Sequence, residues 1–97
     1  MAVTNGPTLL PMSRPRLPRG VRLRYDQARS EWVLLAPERV FKPDGIALEI
    51  LKRCEGALTF DEIVNELAEK FAADASDVER DVREFLGGLA EKGVVEL

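Results

Sequence analysis

The chain has 97 residues, of which 45% are hydrophobic and 32% are charged, and its formal net charge is −3. This length and composition are typical of one soluble globular domain that can bury a core without metal or disulfide crosslinks. The chain has no histidine and one cysteine, Cys54, which excludes a His/Cys zinc site, an intrachain disulfide and any catalytic triad that uses histidine. No stretch reaches the roughly 20 apolar residues of a membrane helix and no signal peptide is recognisable, so we expect a cytoplasmic protein.

Charge is distributed unevenly along the sequence. Residues 1–53 carry ten Lys/Arg and five Asp/Glu, whereas residues 54–97 carry four and twelve. The acidic C-terminal half is a poor surface for nucleic acid, because nucleic-acid binding relies on the neutralisation of phosphates.

The N-terminal segment lacks the pattern of any regular element. Residues 1–20 contain four prolines with no regular period, which excludes a helix and offers no alternation for a strand. We therefore predict a flexible arm or linker that precedes one domain over residues 21–97. Arg14, Arg16 and Arg19 could contact a partner, but a solvated tail or a junction to another domain is the favoured interpretation.

Three short strands are predicted after this arm. Residues 21–25 alternate apolar side chains with arginine, which indicates a half-buried strand. The apolar run 32–35 is typical of a central strand, and Pro37 ends it because proline has no N–H to donate. Residues 39–42 form a third short strand that stops at Pro43.

Three helices are predicted to follow the strands. Asp44 can cap the start of the first helix, and the spacings of Thr59 with Glu62 and of Ser76 with Glu79 are those of capping boxes for the second and third. The apolar residues at the C-terminal end are expected to pack back on the core, as is the cysteine. The order of elements predicts an α+β fold, a three-stranded antiparallel sheet followed by three α-helices, with winged-helix-like geometry.

The sequence does not favour catalysis. Carboxylate pairs such as Asp61 and Glu62 lie where acidic side chains cap helices and complement the helix dipole, so solvated helix faces explain them. Gly87 and Gly88 lie inside a helical pattern, where each glycine costs about 1 kcal/mol relative to alanine. Two interpretations of this pair stay open: close packing of another element or a kink, and a shallow groove left open for a ligand.

The third strand is the most informative functional candidate. In a meander it lies at the edge of the sheet, where Arg39 and Lys42 flank Val40 and Phe41. Charges on an edge strand either prevent aggregation or accompany the addition of an incoming peptide strand. The pattern alone favours neither function.

Several runs of residues resemble the PqqD family of pyrroloquinoline quinone biosynthesis. The resemblance covers residues 21–97, and its most specific part is Trp-Val-Leu-Leu-Ala-Pro-Glu-Arg over residues 32–39. One departure is Lys-Pro-Asp-Gly over residues 42–45, where many relatives begin the first helix with an Asn-Glu/Asp-Thr-like sequence. The matching runs are residues 21–25, 31–40, 46–51, 54–56, 60–64, 81–86 and 89–93.

The resemblance implies a non-catalytic, cofactor-free peptide-binding domain, a RiPP recognition element. Proteins of this family bind the ribosomally made precursor peptide PqqA and present it to the radical SAM enzyme PqqE, which crosslinks a Glu and a Tyr of the peptide. The peptide joins the third strand as an additional strand, beside the third helix. Some relatives are fused to another protein of the pathway, which makes a fusion linker one interpretation of residues 1–20. The implied peptide-binding residues are Arg39, Val40, Phe41 and Lys42 on the strand and Val78, Val82, Phe85, Leu86 and Leu89 on the helix.

Two alternatives are retained beside the resemblance. The first is a winged-helix nucleic-acid-binding protein, although its would-be recognition helix, residues 76–92, has a net charge of −2 that should repel phosphates. The second is a structural dimerisation module, because an exposed edge strand can pair with its own copy.

Overall fold

The N-terminal half of the chain folds into an antiparallel sheet, and the computed structural model describes residues 9–97. The strands are β1 (Arg22–Asp26), β2 (Glu31–Ala36) and β3 (Arg39–Phe41), in the order β1-β2-β3. A two-residue turn joins β2 to β3, and Glu38 in this turn has a left-handed φ of 65°. The predicted meander, with the third strand at an edge, is confirmed.

The strand register decides which face of the sheet meets the helices. Leu34 of β2 pairs with Leu23 of β1 and with Phe41 of β3, and Leu34 is fully buried. Because paired residues share a face, these three side chains lie on the core face, and their neighbours along each strand lie on the outer face.

Three helices follow the sheet: α1 (Gly45–Lys52), α2 (Phe60–Lys70) and α3 (Ala75–Glu91). The capping box of α2 is confirmed, because Thr59 Oγ1 accepts the N–H of Glu62 at 3.1 Å and Glu62 Oε1 accepts the N–H of Thr59 at 2.8 Å. Hydrogen bonds from the backbone N–H and from the side chain of Thr59 hold the pKa of the Glu62 carboxyl below its usual range. The α+β order of three strands and three helices is the one that the sequence predicts.

Two helix starts differ in detail from the prediction. The residue that caps α3 is Asp74 and not Ser76: its Oδ1 accepts the N–H of Ser76 at 2.8 Å. The Ser76 hydroxyl donates to the same carboxylate at 2.6 Å, so the serine supports the aspartate cap instead of forming a capping box. Asp44 stands at the N-cap of α1, as predicted, but its side chain makes no capping hydrogen bond.

The core lies between the inner face of the sheet and the helices. Cys54 is buried in it, as predicted, and donates its thiol to the carbonyl of Ile50 at 3.2 Å. The C-terminal tail packs against the same core, as predicted. Fully or almost fully buried apolar residues include Leu34, Ile50, Leu51, Phe60, Ile63, Leu67, Val82, Leu86, Val94 and Val95.

Residues 9–20 are fixed on the helical part of the molecule, so the prediction of a flexible arm is wrong for them. Leu9 is 6% exposed, and Pro15 is among the most completely buried side chains. The backbone of Arg16 exchanges two hydrogen bonds with that of Glu96, at 2.9 and 2.8 Å. Residues 1–8, the remainder of the predicted arm, lie outside the described residues.

The physical reason is that prolines exclude a helix but leave carbonyl groups free to accept hydrogen bonds. The carbonyls of Pro11 and Ser13 accept the N–H groups of Asp61 and Phe60, at 3.1 and 2.7 Å. These donors belong to the first turn of α2, where the helix itself offers no acceptor. The segment therefore completes the start of α2. No helix within residues 9–97 is long and apolar enough to cross a membrane.

Candidate functional site

The strand β3 has a free backbone edge centred on Val40. Ala36 and Arg39 close the two-residue turn between β2 and β3, and the closing pair of such a hairpin is hydrogen-bonded. Because bonding alternates along an antiparallel pair, the N–H and C=O of Val40 point away from β2. The Val40 side chain is 62% exposed. Val40 therefore offers one donor and one acceptor to an incoming strand.

An apolar cleft of 230 Å³ lies beside this edge, between β3, α1 and α3. We call it the β3–α3 cleft. Phe41 contributes from β3, and Phe85 and Leu89 contribute from α3, one helical turn apart. The corner between β3 and α1 contributes Lys42, Pro43 and Asp44, and the remaining lining residues are Leu34, Ala47 and Leu51. A free strand edge beside an apolar pocket is the arrangement that binds an extended peptide, since the pocket can receive alternate side chains.

The strand side of this site is cationic. Lys42 Nζ lies 3.5 Å from Glu31 Oε2, and the Lys42 side chain remains 59% exposed. Within residues 9–97, Arg39 has no carboxylate oxygen within 4.0 Å, and its side chain is exposed. The edge therefore suits a peptide with acidic residues.

The structure brings together six of the nine sequence-predicted site residues. Arg39 and Val40 lie on the free edge, whereas the other four line the cleft: Phe41, Lys42, Phe85 and Leu89.

The other three, Val78, Val82 and Leu86, are 3%, 0% and 0% exposed, and they belong to the core. Their predicted role as peptide-binding residues is corrected, because these three side chains face the core and α2 packs against α3, whereas Phe85 is partly buried at the border of the core.

The contribution of α1 to the cleft is not predicted from the sequence. Ala47 and Leu51 lie four residues apart on one face of α1 and line the cleft from the side opposite α3. Their apolar spacing was a signal, but spacing alone does not distinguish a buried face from the wall of a pocket.

The glycine pair of α3 is open to solvent. The helix continues through Gly87 and Gly88 to Glu91, and a Cβ atom built on either glycine would meet nothing within 4 Å. Close packing of another element therefore does not explain the pair within the described chain. Gly88 lies three residues after Phe85, on the helix surface beside the cleft.

The described residues do not assemble a reaction centre. Burial raises the pKa of the Cys54 thiol to about 12, so the thiol is neutral near pH 7. A hydrogen bond from Arg53 lowers the pKa of the Glu49 carboxyl, and Arg53 also contacts Glu66 at 2.9 Å, which ties α1 to α2. Residues 9–97 contain no cluster of three metal-ligating side chains.

Comparison with known proteins identifies the family. The family model described as coenzyme PQQ synthesis protein D (PqqD) matches residues 31–95. The PqqA binding protein of Rhodopseudomonas palustris strain BisB5 is 49% identical over 86 residues, which cover 89% of this chain and 84% of the relative. The PqqA binding protein of Xanthomonas oryzae pv. oryzae strain PXO99A is 49% identical over 84 residues, covering 87% of this chain and 91% of the relative.

Two solved structures share the fold. One is the solution NMR structure of the PqqD truncation of Methylobacterium extorquens PqqCD, described as a functional, stand-alone RiPP recognition element. It has a TM-score of 0.76 and 43% identity, and the match covers 93% of this chain and 96% of that one. The crystal structure of PqqD from Xanthomonas campestris matches with a TM-score of 0.58 and 46% identity, over 93% of this chain and all of that one. The chain therefore belongs to the PqqD family, which consists of recognition proteins and not of catalysts.

Proposed function

We propose that this protein binds the precursor peptide PqqA by adding a strand of the peptide to β3, and that it presents the bound peptide to the radical SAM enzyme PqqE. The observation that carries the proposal is the free edge at Val40 directly beside the β3–α3 cleft. The relatives named as PqqA binding proteins support the choice of peptide. We propose the cytoplasm as the site of this function.

Strand addition divides recognition between backbone and side chains. The peptide backbone bonds to the N–H and C=O of Val40, and these bonds fix the position of the peptide without selecting its sequence. Because side chains alternate along a strand, every second peptide residue faces the cleft and contacts Phe41 and Phe85. Arg39 and Lys42 then favour acidic residues next to the apolar ones.

The charge of α3 argues against the nucleic-acid alternative. The helix Ala75–Glu91 contains five acidic and two basic residues, and Asp77 and Asp81 on it are about 60% exposed. Insertion of such a helix into a DNA groove would bring carboxylates close to phosphates.

Two substitutions of Val40 test strand addition. Val40→Pro removes the N–H that the peptide needs, and proline is tolerated on an edge strand. Val40→Ala keeps the N–H and shortens the same exposed side chain. We expect Val40→Pro to weaken PqqA binding at least about tenfold in isothermal titration calorimetry, and Val40→Ala to stay within about threefold. Equal affinities of the two variants would contradict strand addition.

Presentation is tested by the rate at which PqqE crosslinks PqqA. We expect wild-type protein to raise this rate and Val40→Pro to lose the effect in proportion to its loss of peptide affinity. A crosslinking rate that does not depend on the protein would contradict presentation.

A further inference from the structure

The outer face of the sheet carries a patch on the side opposite the core face and the β3–α3 cleft. Arg22 of β1, Leu35 of β2 and Val40 of β3 are paired in one row across this face, and Arg24 and Val33 are paired in the next. We call these five residues the outer patch. It combines three apolar side chains from two strands with two arginines on the neighbouring strand β1.

Arg22, Arg24 and Val40 of the outer patch are exposed, whereas Leu35 is half-buried and Val33 is only 7% exposed. A shallow depression of 590 Å³ lies on it, lined by Arg24, Val33 and Leu35 together with residues 25–27. All of these residues belong to β1, β2 or the turn between them, so no helix lines the depression. Val40, at the other end of the first row, is 62% exposed.

The two arginines of the outer patch have free charges. Within the described part of the chain, neither Arg22 nor Arg24 has a carboxylate oxygen within 4.0 Å, whereas Arg53, Arg80 and Arg83 of the helical part each do. Both arginine side chains are exposed on the strand. An apolar centre beside unpaired guanidinium groups suits a protein surface that has carboxylates around an apolar side chain.

Val40 belongs both to the outer patch and to the free edge of β3. A peptide residue that pairs with Val40 projects its side chain onto the outer face, next to the patch. A partner that docks on the outer patch would therefore contact the protein and the added peptide strand together.

We propose that the outer patch is the docking surface for the folded enzyme that receives the peptide, and that it binds an acidic surface of that enzyme. This inference rests on the proposed function. Docking there positions the enzyme beside the peptide without competing for the β3–α3 cleft. The central apolar side chains favour a protein over nucleic acid, which offers phosphates but no apolar surface to match them.

The experiment reverses the charge of the patch and measures two affinities separately. The double variant Arg22→Glu/Arg24→Glu is compared with Lys70→Glu/Arg80→Glu, which makes the same change of net charge on exposed positions of α2 and α3. Affinity for PqqE is measured by biolayer interferometry and affinity for PqqA by calorimetry, after circular dichroism has verified the folds. We expect the patch variant to bind PqqE at least about tenfold more weakly and PqqA within about threefold of wild type, and the control to bind both within about threefold.

Several results would overturn the inference. Unchanged PqqE affinity in the patch variant would show that PqqE does not dock on the outer patch. An equal loss of PqqA and PqqE affinity would show that the two arginines bind the peptide. If the wild type binds duplex DNA at low salt and the patch variant does not, the two arginines belong to a nucleic-acid-binding surface. Wild-type protein that binds PqqA but not PqqE would contradict this inference and leave peptide binding intact, whereas failure to bind PqqA would contradict the proposed function itself.

Discussion

Phe85 and Val82 lie three residues apart on α3, yet only Phe85 reaches the β3–α3 cleft. Phe85 lines the cleft, whereas Val82 is fully buried in the core. Removal of the aromatic ring takes away an apolar contact worth about 1.5–3 kcal/mol. We expect Phe85→Ala to weaken PqqA binding by about 10- to 100-fold in calorimetry, with the fold retained.

The matched control is a core residue away from the cleft. Cys54→Ser replaces a buried thiol by a hydroxyl that can keep the bond to Ile50, so PqqA affinity should stay nearly unchanged. Val82→Asp places a carboxylate in the core and should prevent folding. If Phe85→Ala and Cys54→Ser bind PqqA equally well, the cleft does not contact the peptide.

Cys54 also makes the stability of the folded protein decrease at alkaline pH. Its pKa is about 12 in the folded chain and near 9 in the unfolded one. The folded pKa is the higher of the two, so the thiol's contribution to stability is fully present below pH 9 and is lost as the pH rises towards 12. At pH 10.5 this loss amounts to about 2 kcal/mol.

Urea denaturation at pH 8 and pH 10.5 measures this response. We expect the free energy of unfolding to fall by about 2 kcal/mol more in wild type than in Cys54→Ser, because serine does not ionise in this range. The comparison cancels every other pH-dependent contribution to stability, because both proteins share it. If the free energy of unfolding falls equally in both proteins, the pKa of the thiol is the same in the folded and unfolded states.

At the scale of elements, α3 contains two glycines that its packing does not require. A Cβ atom at Gly87 or Gly88 would meet no neighbour within 4 Å, and neither backbone is left-handed. Each change to alanine should therefore stabilise the helix by about 1 kcal/mol, which raises the melting temperature by about 4–8 °C. Differential scanning calorimetry of Gly87→Ala and Gly88→Ala tests this.

The two glycines differ in their position relative to the cleft. Gly88 lies beside Phe85, whereas Gly87 lies farther around the helix. If the peptide backbone approaches α3 closely, Gly88→Ala should lose PqqA affinity while Gly87→Ala keeps it. Destabilisation by either substitution would contradict the open surface that surrounds both positions.

The sequence allows the elements to be predicted better than the surfaces they form. Alternation identifies β1, a continuous apolar run identifies β2, and the spacing of Thr59 and Glu62 identifies the start of α2, because each of these is a local property of the sequence. The buried residues and the cleft-facing residues of α3 belong to one apolar stripe in the sequence. Only the elements that pack around α3 determine that Val82 is buried and that Phe85 lines the cleft. For this reason three of the predicted contact residues are core residues.

At the scale of the molecule, the N-terminal segment acts as part of the domain. Residues 9–20 bury Leu9 and Pro15, bond to the first turn of α2, and pair with the C-terminal tail. These long-range contacts cannot be deduced from proline spacing, because a proline-rich segment looks the same when it is free and when it is docked. The single domain predicted for residues 21–97 therefore extends back to residue 9 in the structure.

Removal of residues 1–20 tests this role of the segment. We expect the shortened chain to lose more than about 3 kcal/mol of unfolding free energy, because apolar burial and several backbone hydrogen bonds are lost together. Urea denaturation of the full and shortened chains measures the difference. Equal unfolding midpoints would show that the segment is a linker after all.

Binding of PqqA by strand addition is tested most directly by an NMR titration of ¹⁵N-labelled protein with PqqA, followed through the backbone amides. Strand addition to β3 predicts that the largest shifts occur at residues 40–42 and 85–89, which form the free edge and the α3 wall of the β3–α3 cleft. Amides of β1, two strands away from the edge, should change little. The absence of shifts at saturating peptide, or shifts centred away from β3 and α3, would contradict binding by strand addition.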